Sequence, residues 1–194
     1  MYTPDHFRED RPEVLAAAMR EIGFATLVTE GLNANHLPML LEDGVLRGHV
    51  ARANPVWKAG EGRALAIFLG PHAYVSPNWY PTKAETGKAV PTWNYITVHA
   101  RGPIRWVQDA DWLRAHVTAL SNRHEAPRPE PWAVSDAPES YIDSLVRAIV
   151  GFELTIETLE GKYKLSQNRN QADQQGVRDA LAREDRDDIA RLMT

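Results

Sequence analysis

The chain has 194 residues and no cysteine. Disulfides and thiolate metal sites are therefore excluded outright. No segment reaches the ~20 consecutive apolar residues that a spanning helix needs. The start, Met1-Tyr2-Thr3-Pro4-Asp5-His6-Phe7-Arg8, lacks the basic-then-apolar pattern of a secretory signal. There is no surplus of positive charge either: 22 lysines and arginines stand against 26 acidic residues, giving a net charge of −4. The signs are interspersed, and no basic stripe of the kind nucleic-acid binders carry is present. Internal repeats and low-complexity tracts are also missing. These absences describe a cytoplasmic, membrane-free protein for which direct DNA binding is doubtful.

The elements read as a mainly β fold with peripheral α-helices. Asp10-Arg11-Pro12-Glu13 is a helix start, Val14, Leu15, Ala18, Met19 and Ile22 follow at helical spacing, and Gly23 ends the run. Strands are expected over 24–29 and 36–41. Asp43-Gly44 then supplies a hairpin turn into 45–51. Asn54 caps a short helix, and 64–69 is apolar enough for a buried strand. The stretch 81–90 is polar and reads as a mobile loop. A long strand is expected over 92–107, bent near Gly102-Pro103. A helix capped by Asp109 follows, then a proline-rich linker over 126–138, a helix over 140–150 and a strand over 152–158. The chain closes with charged helical segments from about residue 170. Six or seven strands joined by hairpins and a few helices suggest a Greek-key-like or split barrel in a single domain, 1–194.

Several segments are rich in side chains suited to a ligand. Gly48-His49-Val50-Ala51-Arg52-Ala53-Asn54-Pro55-Val56-Trp57-Lys58 is a strand running into a helix start, flanked by cations. A helix N-terminus favours an anion, and Arg52 and Lys58 can add charged contacts. A plain surface turn with solvated cations is the alternative. Tyr74-Val75-Ser76-Pro77-Asn78-Trp79-Tyr80 could wall a flat ring system or simply anchor a core. Trp93-Asn94-Tyr95 and Gln167-Asn168-Arg169 are dense in hydrogen-bonding groups that could read ring heteroatoms or tie down loops. None of the seven histidines sits in a metal-ligand spacing. His36, His49 and His99 alternate with apolar residues and suit packed strand positions. The run Glu184-Asp185-Arg186-Asp187-Asp188 reads as a solvated helix start.

Taken together, these segments resemble the PaiB-type family of FMN-binding negative transcriptional regulators. The matching pieces are Tyr2-Thr3-Pro4-Asp5-His6-Phe7, His36-Leu37-Pro38, Gly48 to Pro55, Tyr74 to Tyr80, Val90-Pro91-Thr92-Trp93-Asn94-Tyr95 and Lys164-Leu165-Ser166-Gln167-Asn168-Arg169. The resemblance implies the FMN-binding split β-barrel shared with pyridoxamine-phosphate oxidases and flavin reductases. It also implies a homodimer, with the flavin held by residues of both subunits. Arg52, Asn54, Lys58, His36, Pro38, Trp93, Asn94, Gln167 and Arg169 become the expected cofactor contacts, with no metal and no assigned catalytic residue. Related split barrels can hold haem, so an axial histidine stays open. One departure counts against oxidase chemistry: the hydroxyl-rich phosphate segment of those oxidases is here Ala51-Arg52-Ala53-Asn54-Pro55-Val56-Trp57-Lys58, without a hydroxyl. A small FMN-dependent oxidoreductase is the competing function.

Overall fold

A computed structural model describes residues 1–193. The strands, in chain order, are β1 (Arg8–Glu9), β2 (Phe24–Thr29), β3 (Asn33–Pro38), β4 (Leu40–Glu42), β5 (Val45–Ala51), β6 (Gly62–Val75), β7 (Thr92–Val107), β8 (Ile149–Thr155) and β9 (Thr158–Lys164). The helices are α1 (Pro12–Ile22), α2 (Pro81–Thr86), α3 (Ala110–Glu125), α4 (Glu139–Arg147), α5 (Gln171–Arg183) and α6 (Asp187–Ala190). Strands neighbour one another in the order β3-β2-β6-β7-β8-β5-β4, and β9 lies off this path, paired with β1 and β7. No helix among the described residues is long and apolar enough to cross a membrane.

The chain divides into two compact units. One comprises Met1–Ala18, Phe68–His99 and the chain from Glu160 onward; the other comprises Met19–Ile67 and Ala100–Leu159. In the second unit, β2 pairs antiparallel with β3, placing Thr26 opposite His36. β5 pairs with β8, placing Arg47 opposite Glu153 and Val50 opposite Val150. The β4–β5 turn is built by Asp43 (φ 47°) and Gly44 (φ 78°), the two left-handed residues that a tight hairpin requires. Inward-facing Leu46, Val50, Phe152 and Leu154 are fully buried. In the first unit, Ala73, Val75, Tyr80, Ile96, Leu165, Val177, Leu181 and Ile189 form one apolar cluster. That cluster explains why the charged C-terminal helices pack at all: α5 and α6 each bury an apolar face.

Three sequence expectations are revised. The stretch 81–90 is not all loop. Pro81 starts α2, Gly87 (φ 68°) ends it in the left-handed conformation, and buried Asp173 ties it down. Asp173 accepts the Thr82 backbone N–H at 3.1 Å and the Thr82 hydroxyl at 2.7 and 2.9 Å. The expected helix over 140–150 stops at Arg147, because β-branched Ile149 and Val150 pair with β5 instead. The expected strand over 36–41 starts earlier and is interrupted at Met39, whose N–H bonds the Gly23 carbonyl at 2.8 Å.

Asp173 supplies a test. Asp173→Ala leaves the Thr82 donors without their acceptor inside a buried site. A loss of about 2–3 kcal/mol in urea unfolding is expected, because stranding buried donors costs more than a hydrogen bond gains. An unchanged midpoint would mean that α2 is held by its apolar contacts alone.

Candidate functional site

The junction that leaves β5 is organised by Asn54. Its side-chain oxygen accepts the Val56 N–H at 3.0 Å and so caps a 3₁₀ turn, Pro55–Ala59. Its amide nitrogen donates to the Asn35 side-chain oxygen at 2.6 Å. Asn35 precedes His36, whose Nδ1 lies 3.0 Å from the Thr26 hydroxyl across the β2–β3 pair. Trp57 donates its indole N–H to the Arg52 carbonyl at 3.0 Å, which folds the turn back on the strand end. Lys58 places its ammonium 5.9 Å from the Trp57 ring centre and is exposed. The expected helix start is thus a five-residue 3₁₀ turn whose first free N–H is already taken by Asn54. Any anion held here meets side chains rather than a helix end.

Arg52 has a different assignment from the one its position suggests. Its guanidinium donates to the Arg147 carbonyl at 2.7 Å, the Ile149 carbonyl at 3.0 Å and the Gln108 side chain at 2.7 Å. It closes the C-terminal end of α4, where unpaired carbonyls attract a cation. Asn54, His36, Pro38, Arg52 and Lys58 all belong to the second unit. Arg52 and Lys58 both lie over the Trp57 ring, while Asn54 and Asn35 pair at the start of the turn. The set that remains uncommitted is the exposed Lys58 ammonium on the Trp57 ring, with no carboxylate partner for it among the described residues. That set suits a phosphate.

The other expected contacts belong to the first unit. Asn94 is fully buried; it accepts the Ser166 hydroxyl at 3.1 Å, and its amide faces the Met193 sulfur at 3.6 Å. Gln167 accepts the Leu165 N–H at 2.7 Å and donates to the Tyr163 carbonyl, bracing the turn in which Ser166 has φ 67°. Arg169 lies over the Tyr80 ring at 4.5 Å. These three are committed within their own unit. Trp93 is half exposed and lines a cleft with His72, Tyr74 and Trp79. Lys164, inside a segment the sequence marks but does not single out, donates to the Thr92 hydroxyl and the Trp93 carbonyl. Burial lowers its pKa, with Lys162 and Arg169 adding repulsion.

Sequence reasoning also misses a buried polar network in the second unit. Glu153 accepts from Arg47 at 3.1 Å, from Arg105 and from the Trp112 indole at 3.1 Å. These contacts hold its carboxyl below the usual range against the opposing effect of burial. His116 stacks on Trp112 and meets His49 Nδ1 through its Nε2 at 3.2 Å. Its own Nδ1 is buried without a partner. Burial first, then the charges of His49 and Arg47, push the His116 pKa down to about 4. The period-2 alternation of β5 puts His49 with Arg47 on the face opposite Leu46 and Val50, and nothing in the sequence pairs it with a residue 67 positions away.

Comparison with known proteins gives the site its context. Residues 1–158 match the family model described as "Putative FMN-binding domain". The protease synthase and sporulation protein PAI 2 of Bacillus subtilis is 33% identical over 194 residues, covering 95% of this chain and 91% of that protein. An uncharacterized protein of Emericella nidulans is 38% identical over 184 residues, covering 75% of this chain and 73% of its own. Among solved structures, the FAD and heme binding protein of Mycobacterium smegmatis superposes with a TM-score of 0.57 at 14% identity, covering 81% of this chain and 73% of that one. A conserved hypothetical protein of Mycobacterium tuberculosis gives 0.60 at 9% identity, covering 88% and 94%. At these identities the likeness shows the fold, the flavin-binding split barrel.

Proposed function

This chain belongs to the family of FMN-binding domains, and from that premise we propose that it is a homodimeric regulatory flavoprotein that holds the FMN phosphate at the β5 junction. The observation that carries the reading is the exposed Lys58 ammonium, set on Trp57 in the turn that Asn54 caps. In this reading Lys58 and Asn54 contact the phosphate, His36 and Pro38 share one face of the neighbouring β3, and Arg52 positions the junction. Asn94, Gln167 and Arg169 position their own unit. When bound, FMN supplies one- or two-electron redox chemistry, and the protein's part is to hold and orient it. The family match runs through segments of both units, which supports reading the whole chain as one flavin-binding domain.

Two variants at the junction separate holding from folding. Lys58→Ala is expected to weaken FMN about tenfold or more while leaving riboflavin, which lacks the phosphate, nearly unchanged; a charged hydrogen bond is worth about 1.5–3 kcal/mol. Arg52→Ala is expected to weaken both flavins alike and to lower the unfolding midpoint. Equal losses of both flavins with Lys58→Ala would remove the phosphate from this junction.

The regulatory reading is favoured over a small oxidoreductase by the PAI 2 relationship, which spans nearly both chains. The acidic balance argues that any regulation runs through a partner or through the flavin state rather than through base reading. A gel shift at several salt concentrations and anaerobic reduction of the flavin by NADH or NADPH distinguish the two. Exposed Phe24 and Leu32, both in the second unit, are apolar side chains of the kind a homodimer interface covers, which supports the homodimer. Light scattering at micromolar concentration is expected to give the dimer mass.

A further inference from the structure

The first unit contains a cleft of about 500 Å³ whose lining includes His72, Tyr74, Trp79, Trp93, Glu184 and Arg186. The volume lies within the range of small-molecule sites. Its aromatic walls are unusual for an open surface: Trp93 is 52% and Tyr74 47% exposed. The two rings meet edge to face, centres 6.0 Å apart, and the His72 ring lies 6.2 Å from Trp93. Four of the lining side chains carry rings, so an occupant of the cleft meets aromatic surface. Ring faces carry negative potential and attract a cation.

The charge around the cleft has the matching sign. Arg186 is the one cation in the lining, and it is already neutralised. It makes two bonds to Asp188 at 3.1 and 3.2 Å and donates to the His72 carbonyl. Glu184 remains as a carboxylate at the rim. The segment Glu184-Asp185-Arg186-Asp187-Asp188 carries four acids against one base, so the local balance is three negative charges. Five rings elsewhere, those of Trp57, Tyr2, Tyr95, Phe7 and Tyr80, do carry one of the chain's own cations. We propose that this aromatic cleft, with Glu184 at its rim, is a binding site for an organic ammonium ion. The flavin phosphate is the wrong sign for it, so the cleft and the Lys58 junction suit ligand groups of opposite charge.

Aromatic walls and a carboxylate have different tasks in such a site. The walls bind a bulky alkylated ammonium, whose charge is spread over its methyl groups and is weakly hydrated. The carboxylate adds long-range attraction, which salt reduces. A neutral ligand of the same shape gains only the apolar contact.

The test is a titration of FMN-loaded protein with choline and with 3,3-dimethylbutan-1-ol, which has carbon in place of the charged nitrogen. Tryptophan indole N–H resonances report binding, and flavin absorbance reports whether FMN stays bound. Choline is expected to bind about tenfold more tightly than the alcohol, the size of a partly desolvated cation–π contact. Trp93→Ala is expected to abolish binding, and Glu184→Gln to weaken it about fivefold. Both residues are exposed, and Glu184→Gln keeps the test informative if the tryptophan variant folds poorly. Equal affinity for the two ligands would make this an apolar cleft with no cation preference and would overturn the proposal. So would binding that ignores both substitutions, or release of FMN as choline saturates. The last result would place the flavin in the cleft, whereas failure of the phosphate reading shows separately in Lys58→Ala.

Discussion

Gly102→Ala is expected to be the most damaging single methyl that can be added to this chain. Gly102 lies in β7, and a Cβ built on it would stand 1.8 Å from the Thr155 carbonyl oxygen, 3.0 Å from its carbon and 3.2 Å from the Glu157 nitrogen. All three atoms are backbone, and they cannot swing aside as a side chain could. The Glu157 N–H is bonded to the Arg101 carbonyl at 2.9 Å, so the two segments are already drawn together next to the glycine. Relief requires β7 and the end of β8 to separate. The expected cost is about 3 kcal/mol or more, the upper end of overpacking effects, seen as a fall in the urea midpoint. Gly44→Ala is the control. Nothing lies within 4 Å of its Cβ, and only the positive φ of 78° opposes it. Its cost is expected to stay near ~1 kcal/mol. Equal losses at the two positions would mean that β7 and β8 part more easily than their backbone contact indicates.

That contrast also shows what a sequence can reveal. Gly44 follows Asp43 between two alternating apolar runs, so the hairpin and its turn are legible from local chemistry alone. The same holds for α1, where the Pro12 start, the Leu15, Ala18 and Met19 face and the Gly23 stop are all local signals. Gly102 is legible as a special position, since Gly-Pro interrupts a strand. Its reason is not legible, because the carbonyl it makes room for belongs to Thr155, far along the chain. α2 shows the opposite error. Its residues are polar and look like a loop, but a single buried carboxylate from α5 holds it in place. Local composition cannot report a contact of that range.

The candidate site divides in the same way. The motif that contains Arg52, Asn54 and Lys58 is visible in the sequence, and so is its cationic character. What Arg52 touches within the fold is decided by α4, whose C-terminal end it closes. Asn94 and Gln167 have the donors and acceptors to read a flavin, but their partners Ser166, Leu165 and Tyr163 already satisfy them. A polar side chain in a family motif can serve the ligand or serve the loop that faces it, and only its contacts in three dimensions separate the two.

Between pH 6.5 and 4 the protein is expected to lose about 3 kcal/mol of stability through His116 alone. The residue is 5% exposed, and its pKa falls from 6.5 to about 4 in the folded chain. In the unfolded chain it takes up a proton near the ordinary value, while the folded chain resists until about pH 4. The unfolded state therefore binds more protons across this window, and stability rises with pH. The contribution is fully present above about pH 6.5 and is lost as pH falls to about 4, at ~1.4 kcal/mol for each tenfold difference in proton affinity between the two states. The hydrogen bonding gives the cause a specific form. If His116 Nε2–H donates to His49 Nδ1, the enclosed His116 Nδ1 is a bare lone pair, the cheaper group to leave unpaired. Protonation puts an unsatisfied N–H⁺ there, beside His49 and near the Arg47 guanidinium. His49 is lowered in the same direction by its own burial, so the pair resists charging together. His116→Gln keeps a donor for His49 and removes the titrating ring. Urea unfolding of this variant is expected to show a clearly shallower fall in stability between about pH 6.5 and 4.5 than the parent, the remaining slope coming from buried His49. Below that range both proteins lose stability together, as Glu153, held low by Trp112, Arg105 and Arg47, is protonated. A parent and variant with the same slope across that window would show that His116 charges freely in the folded protein, and that the contact with His49 opens at little cost.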